Sequence, residues 1–435
     1  MIDNDKSRLH AYNIVLKHES TALQLKLVRH EYFNKNKLSS NERNRSMALS
    51  NETVRWKRAL DECISKSLNK PINKLPLNVL CILRLGYYEY VMDDLVPPHA
   101  AVNSWVELSK KFNNKKISGL INAVLRKAKY VNKDTFISRK NLGSRFSFQD
   151  WMIENWLKKY GRSKTINLCK YLNHKHEIDL RLDTNSEEIK NLLKDKKIEW
   201  SFSPFSKNYI RIKSGLRNIL FSNIYSKGHI FVQDRAAGAV VEALDPLPGD
   251  TVLDVCAAPG TKSIYIYEKM KGEGKLFSCD INQSKIDNAV KQTKQLGMDI
   301  DWKRMDASTD NYPMADKILI DAPCTGTGVI ARKPDIKWRR NSSDIEKFTL
   351  LQKKIINNVS RFLKKGGVIV YATCSLEDQE NWNVVRSFLK FNPDFKLESV
   401  ERKIPEQWLN SNKCLETFPP RDNVDGMFAA KIKKC

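Results

Sequence analysis

Long apolar runs are missing from this 435-residue chain. None approaches the ~18 residues needed to cross a bilayer, which argues against a membrane-spanning protein. The start, Met1-Ile-Asp-Asn-Asp-Lys-Ser-Arg-Leu-His10, lacks the apolar core of a signal peptide, so a soluble, non-exported, cytoplasmic protein is expected. The nine cysteines, at 63, 81, 169, 256, 279, 324, 374, 414 and 435, are odd in number and scattered. No Cys-x-x-Cys pair occurs, so neither a zinc knuckle nor a disulfide framework is indicated, and no metal is expected. In a reducing compartment these are free thiols, and any special one is catalytic. Acidic residues are also scarce beside basic ones: 50 Asp and Glu face 75 Lys and Arg, a formal net charge of +25. Such an excess favours a polyanionic partner through phosphate contacts and counterion release. Nucleic acid is the first candidate and a membrane surface the competitor, although a genome biased toward Lys, Asn and Ile codons gives a blander source for the same charge. A monomer is expected.

What is present divides the chain by rhythm. Residues 1 to about 130 read as helical, with apolar residues at helical spacing in Ala11, Ile14, Val15 and again in Val79, Leu80, Ile82, Leu83. Ser39-Ser-Asn-Glu42 offers capping chemistry, and Pro97-Pro98 breaks the chain before a helical pattern from Ala100 to Phe112. Residues 1–140 hold 26 Lys and Arg against 13 Asp and Glu, so this region is a candidate RNA contact, unless solvated helix faces hold the charge. A polar linker is expected over 131–150, and a helical pattern from Trp151 to about Lys194. Short strand-like runs follow, Tyr209–Ile212 and His229–Val232, in a small mixed region.

From Asp250 onward strands alternate with helical stretches. Thr251–Val255, Lys275–Asp280, Lys317–Asp321 and Gly367–Thr373 read as buried strands of a doubly wound parallel sheet. Ligands bind at the carboxyl ends of such strands. One end carries Asp254 to Lys262, where Gly260 permits close backbone approach and the dinucleotide fingerprint GxGxxG is absent. Asp280, at the next strand end, suits the hydroxyls of a ribose. Asp306, after Trp302-Lys-Arg-Met305, suits an adenine amino group. Each acid alone is a weak signal; three in order point to an adenosine-type cofactor without a pyrophosphate. The last two strand ends carry Asp321-Ala-Pro-Cys324 and Ala372-Thr-Cys374-Ser375, so two cysteines can face one pocket. A single cysteine is more often an inert small hydrophobe, and Cys63, Cys81, Cys169, Cys279, Cys414 and Cys435 take that reading; Cys256 is also read as packing. A pair at strand ends is a candidate nucleophile, activated by the positive field of Lys262 or of Arg332-Lys333.

Asp254-Val-Cys-Ala-Ala-Pro-Gly-Thr-Lys262, Asp321-Ala-Pro-Cys-Thr-Gly-Thr-Gly-Val-Ile-Ala-Arg-Lys-Pro-Asp-Ile-Lys-Trp338 and Tyr371-Ala-Thr-Cys-Ser375 resemble the Nol/Nop/Sun RNA 5-methylcytosine methyltransferases. Residues 6–130 add a NusB-like pattern, with Arg8-Leu-His-Ala11, Leu83-Arg-Leu-Gly86, Ala100–Leu108 and Asn122-Ala-Val-Leu-Arg126, and Val232-Gln-Asp234 precedes the catalytic region as in that family. The sequence departs from the family at Thr261, where a second glycine is usual, at Ser104-Trp105, and in the ending Asp422-Asn-Val-Asp-Gly-Met-Phe428.

The resemblance implies a multidomain fold: an all-α NusB-like domain over 1–135, a small α+β domain over 145–235, and an α/β Rossmann-like methyltransferase domain with a mostly parallel sheet over 236–435. It implies S-adenosyl-L-methionine as cofactor, held by Cys256, Ala257, Ala258, Pro259, Gly260, Thr261, Lys262, Asp280, Asp306 and Asp321. It implies small-subunit (16S) ribosomal RNA as partner, methylated at carbon 5 of a cytosine. Cys374 takes the role of nucleophile at carbon 6. Asp321 binds the base near nitrogen 3, Cys324 assists proton loss and release of Cys374, and Lys262 lies beside both pockets. A non-catalytic assembly or antitermination factor with a retired catalytic domain is the alternative of another class. The four intact groups Cys374, Cys324, Asp321 and Lys262 favour the enzyme. Transfer RNA is a third possibility, disfavoured only by the NusB-like domain.

Overall fold

The computed structural model describes residues 2–68, 71–131, 140–174, 176–183, 187–203, 206, 208–401 and 404–435. Two compact units form: residues 1–173 with 332–341, and residues 174–331 with 342–435. Among the described residues no helix is long and apolar enough to cross a membrane.

The first unit is helical. Ser39 caps helix Ser40–Arg55 through a reciprocal capping box: its Oγ accepts from Glu42 N at 3.2 Å, and Glu42 Oε2 accepts from Ser39 N at 2.7 Å. Pro98 opens helix Pro98–Lys110, where its missing N–H costs nothing. Helix Leu77–Val91 is buried along Val79, Ile82, Leu83, Leu85 and Tyr87. It packs with Leu60, Ile64, Trp105, Ile121 and Leu125 into one core.

Several basic residues of this unit are committed internally. Buried Glu89 accepts from Arg8 Nε at 2.8 Å, Arg45 Nη2 at 2.5 Å and Trp105 Nε1 at 2.7 Å, which explains a tryptophan at position 105. Arg84 donates to Asp61 at 2.6 Å and to Glu19 at 2.9 Å. Arg8, Arg45 and Arg84 are thereby withdrawn from phosphate contact, and any RNA affinity of this unit rests on its exposed lysines and arginines.

The expected linker falls partly on residues 132–139, outside the described residues. Its remainder is packed. Leu142, Phe146 and Phe148 are buried, and Phe148 meets Trp156 edge-on at 5.3 Å. Apolar residues at 142, 146 and 148 outweigh the polar composition around them. The helical pattern from Trp151 also ends early, at Asn173. Strand Ile178–Leu182 and helix Glu187–Asp195 occupy the rest. Alternation in Ile178-Asp-Leu-Arg-Leu182 places Leu180 and Leu182 in the core of a sheet, whose partners supply the missing hydrogen bonds.

Residues 332–341 pack within this helical unit. Lys337 is fully buried. Its Nζ donates to Asn173 Oδ1 at 2.6 Å, Ser147 O at 3.0 Å and Arg55 O at 3.1 Å, and lies 3.6 Å from the centre of the Phe148 ring. Trp338 Nε1 donates to Val54 O at 2.5 Å, and Asp335 Oδ2 accepts from Leu25 N at 3.3 Å.

The second unit holds two sheets. The smaller is antiparallel, in the order β2 (Trp200–Phe202), β3 (Tyr209–Ile212), β1 (Ile178–Leu182), β4 (Ile230–Val232). The larger contains β5 (Thr251–Val255), β6 (Lys275–Asp280), β7 (Asp301–Arg304), β8 (Ala315–Asp321), β9 (Leu363–Thr373), β10 (Phe395–Glu398), β11 (Leu415–Glu416) and β12 (Phe428–Lys434). Its order is β10-β12-β9-β8-β5-β6-β7, with β11 paired to β12. Strands β5 to β9 are mutually parallel, whereas β12 runs antiparallel to β9 and β10. Both faces are covered. Val252, Leu319 and Val370 pack on helix Arg235–Leu244, while Leu253, Ile318, Ile320 and Ile369 pack on helices Ser342–Val359 and Trp382–Phe391. Burial on two faces is why these strands read as continuous apolar runs.

Gln233-Asp234 joins the small sheet to this layer. Arg181 Nε donates to Gln233 Oε1 at 2.7 Å. Asp234 Oδ1 caps helix Arg235–Leu244 at Ala236 N, 2.9 Å, and Oδ2 accepts from Asp425 N at 3.2 Å. Of the cysteines read as buried, Cys63, Cys81, Cys169, Cys279 and Cys414 are buried; Cys435 is exposed, because it follows the last residue of β12 and packs under nothing.

Candidate active site

The carboxyl ends of β5, β6, β8 and β9 carry the residues singled out above. After β5 the chain turns sharply at Cys256, in the left-handed region at φ 60°, and Ala257 N donates to Cys279 O at 2.8 Å. Gly260 also lies in that region, at φ 99°, and a Cβ there would meet the Trp302 ring at 3.0 Å. Thr261 is the first residue of helix Thr261–Lys269, which begins without any need for a second glycine. Pro259 lies at the exposed crest of the loop.

Asp280 ends β6 and braces this loop: Oδ2 accepts from Ala258 N at 3.2 Å and Oδ1 from Asn282 N at 2.9 Å. Asp306 lies two residues beyond β7 and accepts from Ser308 N and Oγ at 2.8 and 2.6 Å. Those bonds hold its carboxyl below the ordinary 3.8. Its neighbour Met305 donates its N–H to Asp280 O at 3.1 Å, so the two acids share one edge of the sheet.

Lys262 Nζ and Asp321 Oδ2 are paired at 2.6 Å. Burial works against the ammonium, but the Asp321 charge and hydrogen bond outweigh it and raise the Lys262 pKa above 10.5. Cys324 Sγ and Cys374 Sγ are 3.4 Å apart. Asp321 and Ala372 are paired in register between β8 and β9, which brings the two cysteine loops side by side. The Thr325-Gly-Thr-Gly328 turn is laced to both: Gly328 N donates to Cys374 O at 2.9 Å, and Thr327 Oγ1 accepts from Leu376 N at 2.9 Å. A Cβ on Gly328 would meet Gly426 O at 2.1 Å, so the Asp-Gly ending packs directly on this turn. Burial pushes the Cys256 thiol well up, and it serves as packing behind the loop backbone. Arg332-Lys333 fall in the helical unit, leaving Lys262 as the nearby cation for which the structure gives a contact.

Two residues to which no role was assigned stand out. Glu380 touches both cysteine loops. Asp254, fully buried on β5, accepts from Ser263 Oγ at 2.6 Å through Oδ2, while Oδ1 has no partner. Burial raises its carboxyl to about 7, with further effects from Asp321 and Asp280. The folded state therefore holds the proton that the unfolded chain releases at 3.8, and stability falls as pH rises from there to about 7. Asp254→Asn should remove that decline. Hydrogen-exchange protection of β5 across the window checks it, and a decline that persists in the variant would assign it to another group.

An unpartnered buried acceptor beside Asp280 and the Cys256–Lys262 loop is what an amino-bearing nucleoside ligand would satisfy, so the residues fit the expected cofactor. Among the described residues no group of three or more His, Cys, Asp or Glu could hold a metal ion.

Residues 241–433 match the family described as 16S rRNA methyltransferase RsmB/F, and residues 5–129 match the NusB family. The chain is similar to the probable ribosomal RNA small subunit methyltransferase B of Bacillus subtilis, 29% identical over 98% of both chains. It is 31% identical to the protein of the same description in Synechocystis, over 88% of this chain and 89% of that one. The crystal structure of PH0851 shares the fold, with a TM-score of 0.83 at 23% identity over 99% of each chain. A catalytic region with paired strand-end cysteines behind a NusB-like helical region, matched along nearly its whole length, places the chain in the 16S rRNA methyltransferase RsmB/F family.

Proposed function

We propose that the chain methylates carbon 5 of a cytosine in small-subunit ribosomal RNA, using Cys374 as a covalent nucleophile. The observation that carries this reading is the pair of thiols 3.4 Å apart at the ends of adjacent parallel strands, with the Lys262–Asp321 pair beside them. Carbon 5 of cytosine is a poor nucleophile. Addition of a thiolate at carbon 6 turns the base into an enamine and makes carbon 5 reactive. S-adenosyl-L-methionine supplies the methyl group when bound. Cys374 forms the bond to carbon 6, and Asp321 holds the base near nitrogen 3 against the developing charge. Cys324, once it has given its own proton to solvent after the attack, takes the carbon 5 proton as a thiolate. The electron pair left behind re-forms the ring double bond and expels Cys374. The backbone of Cys256 to Lys262, with Asp254, Asp280, Asp306 and Asp321, would hold the cofactor. The base must leave its stack to be reached, which favours loops of the RNA.

Bisulfite sequencing of 16S rRNA from cells with and without this protein tests the reading. One 5-methylcytosine should vanish with the protein; an unchanged pattern would overturn the assignment. The cofactor site has its own test. Asp280→Ala removes the acceptor assigned to the ribose and the brace on Ala258, so S-adenosyl-L-methionine binding should weaken by roughly 1–3 kcal/mol. Unchanged affinity by calorimetry would remove Asp280 from the ribose.

A further inference from the structure

Glu380 plays no part in the chemistry above, yet it bonds to both cysteine loops. It is fully buried. Oε1 accepts from Thr325 N at 2.8 Å and from Gln352 Nε2 at 3.1 Å. Oε2 accepts from Thr325 Oγ1 at 2.5 Å and from Ser375 Oγ at 2.6 Å. Thr325 follows Cys324 and Ser375 follows Cys374. Gln352 also donates to Pro323 O at 2.9 Å, so the segment bearing Cys324 is held on both sides. Every one of these donors is neutral. No lysine or arginine pairs with Glu380 among the described residues; burial raises its carboxyl above the ordinary value, and these hydrogen bonds to the charged form oppose that rise.

We propose that Glu380 is the positioning residue of the two-cysteine site: it fixes the loops of Cys324 and Cys374 against each other. This rests on the two-cysteine reading given above. Four donors on one carboxylate define a single geometry for both loops, which a neutral or shorter side chain cannot reproduce. The proton on Cys324 is held chiefly by its contact with Cys374 and by burial, and the Glu380 charge adds to both. The other titratable groups facing the pair are Tyr371, whose hydroxyl donates to Glu380 O at 2.6 Å, and Lys262 with Asp321. If both thiols ionised together, their repulsion would oppose the attack, and a negative charge that bears on Cys324 opposes that double ionisation.

The test uses the full chain with Glu380→Gln, which keeps the shape but turns one acceptor into a donor. S-adenosyl-L-methionine affinity and the KM for RNA should hold, while kcat falls about 100-fold, the scale for a misplacement of about 1 Å. Alkylation of Cys324 by iodoacetamide, read by peptide mass spectrometry without RNA, should begin at lower pH than in the wild type. Thr325→Val keeps the charge and removes one anchor, so kcat should fall while the Cys324 alkylation profile stays put. A Glu380→Gln protein that loses cofactor affinity and stability with no shift in that profile would reduce Glu380 to a structural residue and overturn the proposal. Wild-type kcat in Thr325→Val and Gln352→Leu would overturn it even if Glu380→Gln fails to fold. Failure of the catalytic reading is distinct, since it shows as methylation surviving in Cys374→Ala.

Discussion

Cys374→Ala should abolish methylation and leave no covalent RNA adduct, whereas Cys324→Ala should accumulate one. The loss in the first variant is expected on the order of 10⁴-fold or more, the scale for removing a nucleophile from a catalytic unit. The sulfurs lie 3.4 Å apart, so either could meet the same base, and geometry alone does not assign the roles. The roles proposed above are those the family resemblance implies. The contact with Cys374, burial and the Glu380 charge push the Cys324 thiol up, and Cys374 follows β9 and packs at the border of the core beneath the Gly328 turn. With Cys324 absent, Cys374 still attacks and the methyl group still transfers. The carbon 5 proton then stays on, and expulsion of Cys374 cannot follow. A slow-migrating protein–RNA band should appear on a denaturing gel, dependent on S-adenosyl-L-methionine and lost in the double variant. A band from Cys374→Ala alone would reverse the roles. No band from either variant would remove support for the covalent route.

The strands that build this site are legible in the sequence because burial on both faces leaves continuous apolar runs. β5 and β6 have the bounds their runs suggest. β8 and β9 extend further back, to Ala315 and Leu363, since Asp316 and the Lys364-Lys-Gly366 stretch hide the strand behind polar and glycine residues. β1 was masked by a helical pattern before it, and β10 to β12 are half-covered strands with mixed composition. Lys262, Asp321, Cys324 and Cys374 are legible through their motifs and strand-end positions, and the structure brings them together as two contacting pairs. Asp280 and Asp306 share one edge of the sheet. Glu380 is not legible. It lies in Leu376-Glu-Asp-Gln-Glu-Asn381, one acid among three, and only its carboxylate bonds to Thr325 and Ser375 tell it from Glu377, which is also buried, and from Asp378. Charge has the same limit. The basic excess of residues 1–140 suggests a phosphate surface, but composition cannot show that Arg8, Arg45 and Arg84 are paired inside the fold.

Lys337→Met should destabilise the helical unit by roughly 3 kcal/mol, because it leaves buried acceptors without a donor. Methionine fills nearly the same volume, so the loss reads out the amine rather than a cavity. The amine serves three acceptors from three separate places in the chain: Arg55 at the end of helix Ser40–Arg55, Ser147 in a left-handed turn at φ 55°, and Asn173 at the end of helix Asp150–Asn173. Among the described residues no carboxylate is bonded to it, and burial, reinforced by the Arg55 charge, pulls its pKa well below 10.5. The unfolded chain therefore binds a proton that the folded state releases between that lowered value and 10.5, so stability of this unit rises with pH across the window. Lys337→Met should erase that rise as well as lower the baseline. Lys110→Met is the control: Lys110 is exposed, and its contact with Glu107 is a surface ion pair, so its loss should cost under about 0.5 kcal/mol. Denaturant unfolding followed by hydrogen exchange over residues 142–173 separates this unit from the rest of the chain. Equal shifts for Lys337→Met and Lys110→Met would mean that the buried amine contributes no more than a surface lysine, and that the three carbonyl groups find other donors when it is gone.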